Sequence, residues 1–203
     1  MSKFPEPPSV DALHRIAAQT IEVAADTLLA RIYFTAGPYP AHWNQFRHIG
    51  PTAARWDHHL ADAQGEPLER SRGVLYCAPD IDTCAPEVFE GTRRIDRTCN
   101  APALAVFALR ETVALLDVRG VFATTIGASS AIHSGPRSRA RAWARQLYEA
   151  YPDVQGLYYG SSMNGHAPAI VLNERARGAL PEQPRLHRSL NDDMLVEVLQ
   201  RIA

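Results

Sequence analysis

Long apolar runs, cysteine and an excess of either charge are all scarce in this chain, and each scarcity closes off a class of proteins. No stretch approaches the roughly 18 apolar residues that a membrane-spanning helix needs. The opening MSKFPEPP lacks the apolar segment of a secretory signal. These features predict a cytoplasmic protein with no membrane partner. The 21 Lys and Arg are balanced by 22 Asp and Glu, so no one-signed field draws in phosphate backbones, and direct nucleic-acid binding is not expected. The three cysteines, Cys77, Cys84 and Cys99, are odd in number and form no C-x-x-C pair. They read as reduced thiols in or near the core rather than as a zinc or redox site. Also missing are G-x-x-x-x-G-K-[ST], H-E-x-x-H and G-x-S-x-G, which leaves a P-loop enzyme, a zincin and an α/β-hydrolase without motif support.

What remains is enough for one sizeable core, since 46% of the 203 residues are hydrophobic. Residues 1–8, with three prolines, read as a flexible arm before a single domain over 9–203. Val10, Leu13, Ile16, Ala17, Ile21 and Ala24 recur at helical spacings and predict a helix over about 10–26, capped by Ser9 or Asp11. LLARIYF (28–34) is short, apolar and aromatic, and predicts a strand. Residues 40–60 have no period and read as a binding loop or short helices, and 61–73 as a surface excursion. GVLYCA (73–78) predicts a strand, followed by a helix entered through Asp80, Asp82 or Thr83, with Pro86 in its first turn and Glu87 near its start. The apolar runs 103–109, 113–118 and 121–125 predict neighbouring strands. An amphipathic helix over 136–151, strands at 156–160 and 167–173, and a closing helix after Asn191 complete the pattern. Strands and helices do not alternate strictly, which indicates an α+β domain.

Three sets of polar residues invite a chemical reading. His58 and His59 are adjacent, so they point apart, and no acid or cysteine cluster joins them. They read as surface or loop histidines, and no metal is expected. Ser129, Ser130, His133 and Ser134 fit a turn as well as a nucleophile site. Arg31 is different, because a guanidinium inside an apolar strand requires a carboxylate, a phosphate or an aromatic face.

Taken in order, L-A-R-I-Y-F (29–34), A-A-R-W-D (53–57), G-V-L-Y-C-A (73–78), A-P-E (85–87) and G-L-Y-Y-G-S (156–161) resemble the successive motifs of the RES domain family, over about residues 28–173. The resemblance implies a mixed, ADP-ribosyltransferase-like β core flanked by helices. It also implies the toxin of a type II toxin–antitoxin pair, with NAD+ as substrate and a cognate Xre-type antitoxin as partner. Residue by residue, Arg31, Tyr76 and Glu87 match the family's catalytic centre. Arg55 and Ser161, or Ser162 beside it, match its further binding positions, and Tyr33 stands one place after the family's usual tyrosine. Asp57 departs from the Asn or Ser found there.

The chemistry then follows from the residue types. Glu87 would stabilise oxocarbenium charge on the ribose. Arg31 and Arg55 would clamp the pyrophosphate with bidentate forks, and Tyr76 would offer a ring for nicotinamide. Water, inorganic phosphate or a protein side chain could accept the ribosyl group, giving a glycohydrolase, a phosphorylase or a mono-ADP-ribosyltransferase. The rivals are a non-catalytic binding module in which Arg31 and Glu87 form one ion pair, and a hydrolase using Ser130 and His133.

Overall fold

The structure is a computed structural model that describes residues 3–66 and 71–202. Among the described residues eight strands form two sheets. The first is five-stranded, in the order β1 (Thr20–Val23), β5 (Val113–Asp117), β6 (Gly156–Gly160), β7 (Pro168–Asn173), β3 (Val74–Cys77). Only β5 and β6 run parallel. The second is antiparallel, in the order β2 (Leu28–Phe34), β4 (Pro102–Ala108), β8 (Leu186–Ser189). The domain is therefore α+β, as the sequence indicated.

The period-two alternation of the strands builds layers. Leu116 and Val171 face a core shared with α5 (Arg137–Ala150), whereas Leu115 and Leu172 face the other way, onto Leu29, Ala105 and Phe107 of the smaller sheet. The far side of that sheet presents Ala30, Ile32 and Leu104 to α2 (Ile81–Val88) and α6 (Asp193–Ile202). Helix α5 fits its place because Ala140, Trp143, Ala144, Leu147 and Ala150 form one buried stripe at spacings of three and four.

Several expectations need correction. The helix over 10–26 stops early: α1 is only Val10–His14, with Ser9 accepting a hydrogen bond from Ala12 N at 3.3 Å. Thr20–Val23 pairs with β5 instead, so cross-strand pairing outweighs the helical period. The segment expected as a flexible arm is packed in its described part, with Phe4 buried against Trp143; residues 1 and 2 lie outside the described residues. Residues 121–125 are not a strand. Phe122–Thr125 forms the short helix α3, set between Gly120 and Gly127, whose positive φ angles of 58° and 89° turn the chain at both ends. The runs 103–109 and 113–118 are not neighbours, because β4 and β5 belong to different sheets. Strand β8 is half-exposed to exposed throughout and has no apolar alternation to announce it. A further one-turn helix, α4 (Ala131–Ser134), precedes α5, and residues 67–70 of the expected surface excursion lie outside the described residues. Among the described residues no helix is long and apolar enough to cross a membrane.

Candidate active site

Strand β3 is an edge strand of the larger sheet, and two foreign segments cross it. Arg47 bridges Val74, with backbone N–H to O distances of 2.9 and 3.1 Å, and Ala30 bridges Ala78, at 2.7 and 2.9 Å. Tyr76 lies between the two bridges. The second bridge fastens β2 to the end of β3 and so joins the two sheets beside Arg31. Along this edge runs a cavity of about 1010 Å³ whose wall includes Arg31, Tyr76, Glu87 and Arg55.

Arg31 shares the strand face of Leu29 and Tyr33, which looks into the space between the sheets. It is 7% exposed, and its hydrogen bond is from Nη2 to Gln45 O at 3.3 Å. Its Nε has no partner, and among the described residues Arg31 makes no ion pair. Desolvation by burial lowers its pKa to about 10, so the cation persists at neutral pH without a counter-charge. The Tyr33 ring centroid is 6.0 Å from the guanidinium carbon, and the Tyr33 hydroxyl is already hydrogen-bonded to His187 Nε2 at 2.6 Å.

Glu87 sits in the last turn of α2 rather than near its start, because Asp80 is the N-cap, accepting from Thr83 N at 2.7 Å, and the helix ends at Val88. Pro86 accordingly falls in the second turn. The Glu87 carboxylate is held from behind. Ser161 Oγ donates to Oε1 at 2.6 Å and Tyr159 OH donates to Oε2 at 3.3 Å. Ser161 is buried, and its oxygen also accepts from Met163 N and Asn164 N. Ser162 is exposed, so Ser161 is the serine that meets Glu87. Among the described residues Glu87 forms no ion pair.

The hydroxyl of Tyr76 accepts from Trp56 N at 3.2 Å, and burial pushes its pKa up, so it stays a neutral phenol. Arg55 donates to Gly135 O at 2.7 Å; burial lowers its pKa while the charges of Glu90 and Glu87 oppose that loss.

Residues that the sequence reading passed over complete the wall. Tyr159 was legible in principle, since it lies two residues from Ser161 and therefore on the same strand face. Arg47 and Arg137 had no such signal, and behind Arg47 stands Asp57, noticed in the sequence only as a departure from the family pattern. Asp57 is fully buried and accepts from Thr52 N at 2.6 Å, from Thr52 Oγ1 at 2.9 Å and from the His59 ring, and it pairs with Arg47 at 3.0 Å. Burial opposes ionisation of Asp57, but the His59 hydrogen bond and the Arg47 charge outweigh it and hold the carboxyl well below the usual range.

His58 and His59 lie in a loop, as expected, but both are buried rather than at the surface. His58 stacks on Tyr148, with centroids 4.3 Å apart, and reaches Glu174 at 3.8 Å, while His59 serves Asp57. Among the described residues no group of three or more His, Cys, Asp or Glu could hold a metal. Ser130 and His133 share only the backbone bond from His133 N to Ser130 O, and His133 Nδ1 has no partner. Cys77 and Cys84 are buried, but Cys99 is exposed, against expectation.

The family model described as RES domain matches residues 28–192. No curated protein matches the chain. Among solved structures, a chain of the "Crystal structure of the M.tuberculosis MbcT-MbcA toxin-antitoxin complex" superposes with a TM-score of 0.62 at 18% identity, covering 95% of each chain. At that identity the likeness speaks for the fold.

Proposed function

Since this chain belongs to the RES domain family, we propose that it is the toxin of a type II toxin–antitoxin pair and depletes cytoplasmic NAD+ by cleaving the bond between nicotinamide and ribose. The match to a chain of a toxin–antitoxin complex supports the toxin role and a proteinaceous antitoxin as partner. The observation that carries the chemistry is that Arg31 and Glu87 line one cavity and neither makes an ion pair among the described residues. Two buried or half-buried opposite charges left unpaired are costly in a purely structural site. They are useful in one that receives a ligand carrying both charges.

NAD+ is such a ligand. Its phosphates suit the Arg31 fork. Its cationic nicotinamide ring and ribose suit the Tyr76 ring and the Glu87 carboxylate. As the bond from C1′ to nitrogen breaks, the electron pair leaves with nicotinamide and positive charge develops on the ribose. Glu87, aimed by Ser161 and Tyr159, stabilises that charge. Arg55, in the field of Glu87 and Glu90, completes the wall on the ribose side. Water or inorganic phosphate then bonds to C1′ and loses a proton.

The test is to incubate the purified chain with NAD+ and follow nicotinamide release, beside expression of the chain alone and with its antitoxin. The expected result is nicotinamide release, growth arrest with a fall in cellular NAD+, and recovery on co-expression. Arrest with unchanged NAD+ would transfer the reading to mono-ADP-ribosylation of a protein, and healthy cells at good expression would remove it.

A further inference from the structure

The cavity contains more cation than one fork, and its arginines fall into two groups. Arg31 and Arg47 stand at one end. The carbonyl that Arg31 contacts belongs to Gln45, two residues before Arg47, and the Arg47 backbone is fixed to Val74 on β3. Arg55 and Arg137 stand at the other end with Glu87 and Glu90, and Arg137 is ion-paired to Glu90.

The two ends differ in charge balance. At the Arg31 end there is one carboxylate for two guanidiniums: Asp57 pairs with Arg47 and is already committed to Thr52 and His59, and Arg31 pairs with none. Arg31 feels the Arg47 charge as a repulsion, and its Nε lacks any partner although the side chain is more than nine-tenths buried. At the Arg55 end two arginines meet two glutamates, so the charges there are matched. Surplus positive charge on buried donors is what an anion with several oxygens relieves.

We propose that Arg47, held in place by buried Asp57, is the second fork of a phosphate clamp whose first fork is Arg31, with Arg55 serving the Glu87 end of the cavity instead. The proposal rests on the NAD+ reading only for the identity of the anion. Asp57 and His59 are positioning residues, since they touch Arg47 and the loop that carries it. The departure at position 57 gains a reason here: an Asn or Ser would offer Arg47 no charge to hold it.

The probes are inorganic pyrophosphate and NAD+, each titrated calorimetrically at low salt into the full chain and its variants. Arg47→Ala and Arg31→Ala should each weaken pyrophosphate binding by about tenfold or more, the usual size of a lost charge-assisted contact. Arg55→Ala should change it less than about threefold. Arg47→Lys should restore only part, because a point charge does not reproduce a fork. Should Arg47→Ala fail to fold, Arg47→Gln, which removes the charge and the fork but keeps a polar side chain, takes its place. The clamp is overturned if Arg47→Ala binds pyrophosphate as the parent does, if Arg55→Ala loses as much as Arg31→Ala, or if the parent binds no pyrophosphate. Its fate is separable from that of the functional reading. Pyrophosphate binding with this pattern and no NAD+ binding leaves the clamp and sinks the NAD+ reading; NAD+ binding indifferent to Arg47 does the reverse.

Discussion

Replacing Glu87 by Gln separates a charge used on a ligand from a charge used to hold the fold. The amide keeps the size and can keep both hydrogen bonds, its oxygen accepting from Ser161 Oγ, now at 2.6 Å from Oε1, and its nitrogen donating to the Tyr159 hydroxyl, now at 3.3 Å from Oε2. Among the described residues no cation lies within ion-pair distance of Glu87, so the roughly 3–5 kcal/mol cost of breaking a buried pair does not apply. The stability change should stay within about 1 kcal/mol, a shift of about 2–4 °C in Tm for a domain of this size. Turnover should respond differently. Removing one preorganised electrostatic contact to a charged transition state costs about 2.7–4 kcal/mol, or about 100- to 1000-fold in rate. Nicotinamide release under saturating NAD+, measured beside thermal melting, reads both quantities on one sample. Wild-type turnover in a folded Glu87→Gln protein would refute the assignment. A fall in Tm beyond about 10 °C with turnover lost in proportion would refute the claim that Glu87 is structurally unpaired.

Tyr76→Phe keeps the ring and deletes the acceptor for Trp56 N, so nicotinamide release should fall less than in Tyr76→Ala; equal loss would argue against stacking. Ser161→Ala removes the shortest contact to Glu87 and leaves two backbone N–H groups without their acceptor; kcat should fall about tenfold with KM nearly unchanged, and a KM effect alone would place Ser161 against the substrate instead. Acid should destabilise the fold through two groups. Burial lowers the His133 pKa to about 4, so the folded state resists a proton that the unfolded chain accepts near 6.5, and stability falls as pH drops from about 6.5 to 4. Burial also disfavours the Glu174 carboxylate, but the nearby His58 ring and hydrogen bonds from Tyr148 and Gly73 prevail and depress its pKa to about 2, so its contribution is present above about 4.5 and is lost between there and about 2. Melting scans across pH should show Tm falling through both windows, and His133→Gln should flatten the upper one; an unaltered slope in that variant would reject the assignment to His133.

The sequence by itself determined whatever depends on local period and local chemistry. The apolar stripe of α5, the hairpin of β6 and β7, and the strands bearing Arg31 and Tyr76 follow from spacings within a few residues. The ordered motifs also carried Arg31, Arg55, Tyr76, Glu87 and Ser161 into one expectation, and the fold brings them to a single cavity and its rear wall. Tertiary structure decided the rest, because the deciding contacts join residues far apart in the chain. Thr20–Val23 has a helical period before it and becomes strand only because Val113–Leu116 lies beside it. Whether Arg31 had a carboxylate partner depended on which residues β2 meets across the gap between sheets, and pairing of Ala30 with Ala78, 48 positions later, fixes that meeting. Arg47 gave no signal in a stretch without period; it gains its position from a backbone bridge to Val74 and its charge partner from the buried Asp57, neither of which any spacing rule could announce.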